Sequence, residues 1–266
     1  MEFKDINKKS YYHDKTGMLL KGNCLEWMAK FPDKSVDMIL CDLPYGTTQN
    51  KWDIIIPFDK LWKQYERIRK DDCTIVLFGS EPFSSYLRLS NIDNFRYDWI
   101  WHKSKPSGMA LSKKQPMRNH ETLSVFYQGK YNPIKEEREG FTASSIARFS
   151  SGENLGTYRN HGDSTTGLKK NELKTIEELR FPTTIKKFAS VPNRLGTLHP
   201  TQKPTDLFEY LIKTYTSENE IVLDNTAGSC TTAIACKNTN RKWICIEQEQ
   251  KYCDISIDRI KNYVMK

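Results

Sequence analysis

The apolar positions of the chain change period repeatedly, and each change marks an element. "GMLLKGN" (17–23) is a short apolar run, and in "CLEWMAKFP" Leu25, Met28 and Ala29 recur at helical spacing until Pro32 ends the pattern. In "SVDMILCD", Val36, Met38, Ile39, Leu40 and Cys41 form a nearly unbroken apolar run, the mark of a buried strand, which Pro44 and Gly46 then stop. "PFDKLWKQYERIRK" puts Leu61, Tyr65 and Ile68 on one helical face, with Asp59 as the expected cap. "CTIVLFGS" predicts a further strand and "PFSSYLRLSN" a short helix. "FRYDWIWHKS" and "ETLSVFYQG" alternate as two strands that suit antiparallel neighbours.

Residues 130–197 lose every regular period, broken by Gly140, Gly152, Gly156, Gly162, Gly167, Pro182, Pro192 and Gly196. A stretch of that length without a packed pattern of its own is usually functional or mobile. Periodicity returns with an amphipathic helix in "TDLFEYLIKTYT". A strand and turn follow in "EIVLDNTAGS", a helix in "TTAIACKN", a strand in "KWICIEQ" and a closing helix in "QKYCDISIDRIKNYV". Strands alternating with helices predict an α/β fold, a mostly parallel sheet with helices on both faces, interrupted by one irregular insert.

Composition narrows this picture. The 266 residues suffice for one large α/β domain carrying an insert. No apolar run approaches the ~18 residues of a membrane span, and "MEFKDINKKSYYHDK" has no apolar signal core, so a cytoplasmic protein without membrane partners is expected. The seven cysteines contain no C-x-x-C pair and fall mostly in apolar runs, which predicts reduced core thiols and no metal site. The net charge of +8 is local: residues 101–200 hold 17 basic and nine acidic side chains, whereas basic and acidic residues balance on either side. A localised surplus suggests an electrostatic footprint for a polyanion.

Two strand ends carry candidate chemistry. Asp42 falls at the carboxyl end of its strand, the edge at which open α/β sheets bind ligands. In "IVLDNTAGSCTTAIAC" a strand ends in Asp224, a small-residue turn follows, and a helix begins near Thr231. Gly228 there allows close backbone approach, and the helix start offers free N–H groups. One strand later Glu247 could accept hydrogen bonds from a ribose. "AGSCTT" matches neither G-x-G-x-x-G nor a phosphate loop, which favours a nucleoside-like ligand without a pyrophosphate. Taken singly, Asp224 reads as a turn residue and Glu247 as a solvent-facing acid.

Together these stretches resemble the amino-group DNA methyltransferases that use S-adenosylmethionine. "DLPYG" is similar to their catalytic D-P-P-Y motif, and "VLDNTAGSCTTAIA" to their cofactor motif L-D-x-F-x-G-S-G-T-T. "HPTQKPTDLFEYLI" (199–212) is similar to the motif preceding the cofactor strand. The order of the three is that of the beta group. The resemblance implies a Rossmann-like methyltransferase sheet with a catalytic half (1–129), a candidate target-recognition insert (130–197) and a cofactor-binding half (198–266). Departures are Leu43 for the first proline, Thr226 for phenylalanine, Cys230 for glycine, and Asn23 where relatives commonly carry an aspartate facing adenine.

The resemblance also implies roles. The Asp42 carboxylate and the Leu43 carbonyl would accept from an exocyclic amine, Pro44 would stiffen the turn, and Tyr45 would stack on the base through its ring, with no need of its hydroxyl. S-adenosylmethionine would be held by Asn23, Asp42 and Lys203, by Asp224, Thr226, Ala227, Gly228, Ser229 and Thr231 of the turn, and by Glu247 and Gln248. Double-stranded DNA would meet Lys103, Lys105, Lys113, Lys114 and Arg118, then Arg159 and Arg194. Arg148, Lys169, Lys170, Lys186 and Lys187 belong to the same basic block. An acid at the first motif position goes mainly with adenine N6, so a site-specific adenine methyltransferase is expected. Cytosine N4 is the alternative, and a catalytically weak DNA-binding relative or a methyltransferase of RNA or protein glutamine are further readings. A homodimer and a cognate restriction endonuclease stay open as partners.

Overall fold

The computed structural model describes residues 2–48, 50, 53–137, 179–191 and 202–263. They fall into two compact units, one of residues 1–132 and 183–266 and the other of 133–182. In chain order the elements are α1 (Phe3–Asn7), β1 (Tyr12–His13), β2 (Gly17–Lys21), α2 (Cys24–Met28), β3 (Val36–Cys41), α3 (Phe58–Ile68), β4 (Arg69–Gly79), α4 (Phe83–Leu89), β5 (Phe95–Ser107) and β6 (Arg118–Phe126). The strands β7 (Glu136–Glu137) and β8 (Leu179–Arg180) pair antiparallel in the smaller unit. The larger unit then continues with β9 (Ile185–Phe188), α5 (Thr205–Tyr215), β10 (Ile221–Asp224), α6 (Thr231–Asn238), β11 (Lys242–Glu247) and α7 (Gln250–Lys261).

Nine strands of the larger unit form one sheet in the order β1-β2-β11-β10-β3-β4-β6-β5-β9. From β2 to β4 every neighbour is parallel, and β6 runs antiparallel to both β4 and β5. Strand periodicity sorts the core into two layers. Met38, Leu40, Val76, Phe78, Val222 and Trp243 pack on one face with Phe208 and Leu211 of α5 and Ile234 of α6. Ile39, Cys41, Ile75, Leu77, Leu223 and Ile244 pack on the other with Leu61, Tyr65 and Ile68 of α3 and Leu87 of α4. A strand covered on both sides needs apolar residues at every position, which is why β3 reads as a run rather than an alternation. Among the described residues no helix is long and apolar enough to cross a membrane.

The structure departs from the sequence reading in three places. Residues 185–188 lie inside the stretch expected to be irregular, yet β9 pairs parallel with β5 and so joins the main sheet. Its four residues, "IKKF", are too few and too polar to announce a strand. The N-cap of α3 is Pro57 and makes no side-chain cap bond, so Asp59 sits in the first turn, where a negative charge complements the helix dipole. Lys186, grouped with phosphate-binding cations, is buried with its ammonium over the rings of Trp99 and Tyr210. The cysteines are all unpaired, and six of the seven are buried.

The close approach of β2 to β11 depends on Gly17, where an added Cβ would lie 2.1 Å from the Trp243 carbonyl oxygen and 2.4 Å from its ring. Gly17→Ala should therefore lower the unfolding free energy by about 1–3 kcal/mol, the usual range for overpacking. The midpoint of urea unfolding measures it, and an unchanged midpoint would mean that the two strands part freely.

Candidate active site

β3 and β10 are parallel neighbours, paired at Met38–Val222 and Ile39–Leu223. The chain leaves β3 through α3 toward β4 on one side, and leaves β10 through α6 toward β11 on the other. Connections that diverge in this way open a crevice at the carboxyl ends of the two strands. A cavity of about 870 Å³ lies there, lined among others by Asp42, Leu43, Pro44, Tyr45, Asp224 and Glu247.

Asp42 follows the last residue of β3, and two donors fix its carboxylate. Tyr45 Oη donates to Oδ1 at 2.6 Å, and Lys203 Nζ to Oδ2 at 2.6 Å. Its main-chain oxygen accepts from Thr226 Oγ1 at 3.0 Å, which ties the motif to the turn after β10. Lys203 reaches on to Glu121 Oε2 at 3.2 Å, and Lys103 meets Glu121 Oε1 at 2.6 Å. The result is a chain of alternating charge, Asp42–Lys203–Glu121–Lys103, in which the side chain of Lys203 is only 9% exposed. Burial pushes the Asp42 carboxyl up, and Lys203 partly offsets that, leaving it above its ordinary value. Burial opposes the Lys203 charge too, but Asp42 and Glu121 more than offset it and hold the ammonium protonated. At Glu121 burial is likewise outweighed, by Lys203 and then Lys103, so that carboxyl stays below its usual range.

Across the crevice the turn after β10 is tightly held. Glu247 accepts from the Gly228 N–H through Oε2 and from the Glu249 N–H through Oε1, both at 2.8 Å. Asp224 accepts from Thr226 N–H and from Thr232 Oγ1. No cation pairs with either acid among the described residues. Burial raises both, and pushes Asp224 to about 7. Cys230, the N-cap of α6, has φ 53 and ψ 47, the left-handed region that glycine enters without cost. The loop after Tyr45 is closed by Asp53, whose carboxylate accepts from the N–H groups of Gly46, Thr47 and Thr48 and is held below its ordinary range by these bonds despite burial.

The chain belongs to the DNA methylase family. The family profile, that of the N6 and N4 amino-group methylases, matches residues 36–258. The chain is 25% identical over 281 residues to the Type II methyltransferase M.HinfI of Haemophilus influenzae, with 95% of this chain and 70% of that protein covered. It is also 25% identical to the Type II methyltransferase M2.LlaDCHI of Lactococcus lactis subsp. cremoris, covering 95% and 92%. The fold is similar to that of the cytosine-N4-specific PvuII DNA methyltransferase, with TM-score 0.67 at 16% identity over 96% of this chain and 91% of that one. It is similar as well to M1.HpyAVI in its complex with S-adenosylmethionine, with TM-score 0.60 at 23% identity over 93% and 100%. This DNA methylase is thus a beta-class amino-group enzyme on a Rossmann-like sheet, and the methyl donor of its family is S-adenosylmethionine.

In this methylase the residues expected at the site converge, with three differences. Lys103 is spent on Glu121 within the buried ion chain, with its side chain 14% exposed, and is not a free phosphate contact. The Tyr45 hydroxyl, expected to be idle, holds Asp42. The Asn23 oxygen, expected to face adenine, caps α2 by accepting from Leu25 and Glu26, although Asn23 still lines the cavity. Ala227, Ser229, Thr231 and Gln248 line the cavity as expected, as do Lys105 and Arg118. Lys113 and Lys114 are exposed, whereas Arg148, Arg159, Lys169, Lys170, Arg194 and His199 lie outside the described residues. Sequence reasoning missed Glu121 and Asp53. Glu121 is the first acid after the 19 residues 102–120, "HKSKPSGMALSKKQPMRNH", in which every charged side chain is basic, and that contrast was the available signal.

Asp224 binds its proton more tightly when folded than when unfolded. Its contribution to stability is complete below the ordinary value of 3.8 and is lost as pH rises through about 7. Asp224→Asn should abolish that loss, so the urea midpoint of the wild type should fall relative to the variant between about pH 4 and about pH 8. Parallel curves would show that folding leaves the proton affinity of Asp224 unchanged.

Proposed function

We propose that this methylase transfers the methyl group of S-adenosylmethionine to the exocyclic N6 of adenine in double-stranded DNA. The observation that carries the reading is the placement of Asp42. Its carboxylate is fixed by Lys203 and Tyr45 in the β3–β10 crevice, in one cavity with the acids Asp224 and Glu247. Adenine is preferred to cytosine N4 because an acid, not serine, occupies the first motif position.

The cavity fits a nucleoside-like donor. Two buried acids that pair with no cation among the described residues are acceptors suited to hydroxyl and ammonium groups, and Gly228 keeps the intervening turn narrow. Asp224, Glu247 and the 226–231 turn would hold the donor, which supplies an electrophilic methyl on a sulfonium. The exocyclic amine of a nucleobase is a poor nucleophile because its lone pair is delocalised into the ring. Asp42 and the Leu43 carbonyl accept its two N–H bonds and draw it toward a tetrahedral, reactive shape. Lys203 keeps Asp42 ionised for that task. Once nitrogen is methylated, Asp42, made more basic by burial, takes the proton that nitrogen releases. Positioning of the reacting atoms supplies most of the acceleration. A paired base cannot reach this cavity, so the target nucleotide leaves the helix. Residues 130–197, apart from β9, are the proposed target-recognition insert. The relatives named as Type II methyltransferases suggest a restriction-modification setting for this one.

Sequencing DNA from a host expressing the protein, with detection of modified bases, tests the reading. N6-methyladenine at one sequence motif is expected, and none with Asp42→Ala. N4-methylcytosine at a motif would reassign the base, and unmodified DNA would overturn the activity.

The rate should fall as pH drops through the Asp42 pKa, because a protonated carboxyl is a much poorer acceptor for the amine N–H and cannot take up the released proton. Lys203→Met removes the cation that lowers this pKa and should move the acid limb of kcat to higher pH. Tyr45→Phe removes a hydrogen bond to a charged acceptor, worth about 1.5–3 kcal/mol, and should lower kcat about tenfold or more with a shift in the same direction. An unmoved acid limb in both variants would assign it to another group.

A further inference from the structure

The antiparallel strands β5 and β6 extend past the sheet as a hairpin beside the cavity. Their outermost rung pairs Ser107 with Arg118, and both residues line the cavity. Beyond that rung residues 108–117 form a tip, in which Gly108 turns the chain at φ 91 and Met109–Leu111 make a single 3₁₀ turn. From 102 to 120 the sequence contains no acid, while Lys105, Lys113, Lys114 and Arg118 surround the tip. In the middle of this basic surface two apolar side chains stand in water, Met109 at 71% and Leu111 at 47% exposure.

The charge selects a polyanion as the occupant, and the two apolar side chains need more than phosphate to meet. Phosphate oxygens and groove water offer nothing to a thioether or an isobutyl group. The faces of two base pairs do, once the nucleotide between them has left. Ser107 and Arg118 line the cavity, so the tip adjoins the space that a flipped nucleotide would enter.

We propose that Met109 and Leu111 are a wedge that enters the duplex and fills the gap left by the flipped target nucleotide, while Lys113 and Lys114 hold the flanking phosphates. This rests on the duplex-methylating reading above and extends it to the residues that stabilise the open state. Unstacking a base costs a few kcal/mol, and apolar side chains inserted between base steps offset such costs in other DNA-bending proteins. Both side chains are exposed and support no core, so their truncation leaves the fold intact.

The test measures kcat/KM of the full-length wild type and of Met109→Ala/Leu111→Ala on two duplexes built on the methylated motif. One is intact, and the other carries an abasic site opposite the target, so that the target base is unpaired beforehand. On the intact duplex the variant should lose about tenfold or more, and on the abasic duplex less than about threefold. Lys113→Ala/Lys114→Ala should instead weaken binding to both duplexes and flatten its salt dependence. Equal wild-type and variant rates on the intact duplex overturn the wedge. So does an equal loss on both duplexes, and if the double alanine variant also changes the sedimentation of the free protein, the tip contacts a second copy of the chain. Failure of the wild type to methylate either duplex overturns the activity itself, and the wedge with it.

Discussion

Two acids at the ends of two adjacent buried strands set the terms for everything around them. β3 and β10 are neighbours, so Asp42 and Asp224 are forced into one crevice, where each raises the cost of charging the other. The protein answers them differently. Asp42 receives a lysine, a tyrosine hydroxyl and, through Lys203, the backing of Glu121 and Lys103. Asp224 receives a hydroxyl and one N–H and, among the described residues, no cation. One carboxylate is thereby kept as a ready acceptor, and the other stays poised near neutrality until a partner arrives.

That asymmetry explains why segments far apart in sequence meet here. Lys203 stands just before α5, Glu121 on β6 and Lys103 on β5, and each is required because removing any partner would leave a buried charge uncompensated. The antiparallel β5–β6 pair thus does more than widen the sheet: it delivers the outer half of the ion chain to the crevice. Glu247 plays the corresponding part on the far side, where its carboxylate clamps Gly228 and so shapes the turn that lines the cavity.

The sheet was legible because each buried strand wrote its burial directly as an apolar run, and each covering helix as a stripe such as Leu61, Tyr65 and Ile68. The strand-end acids were legible because proline and glycine cut those runs short at Asp42 and near Asp224. Partnerships across 80 to 160 positions were not. Lys203 to Asp42 and Lys203 to Glu121 depend on register and strand order, which periodicity does not encode. The same limit hid β9, whose partner β5 lies about 85 residues earlier, and it made Lys103 and Lys186 look like free surface charge. Local chemistry misled at Asp59, which sits in the first turn of α3 rather than capping it, and at Asn23, where a side chain able to face a ligand also had a helix to cap, and the nearer partner won.

The ring of Tyr45 stacks against Phe83 with centroids 4.9 Å apart and planes 29° from parallel. One side of the tyrosine is therefore already occupied by the protein, and a planar guest can lie only on the other. The hydroxyl of the same ring donates to Asp42, so the ring's position is fixed at both ends, and Phe83 keeps the same side closed even if the ring makes a half-turn about its own axis. The pocket is consequently one-sided: a planar guest has a single free face of the tyrosine to lie on, and Phe83 fixes which side of the ring that is.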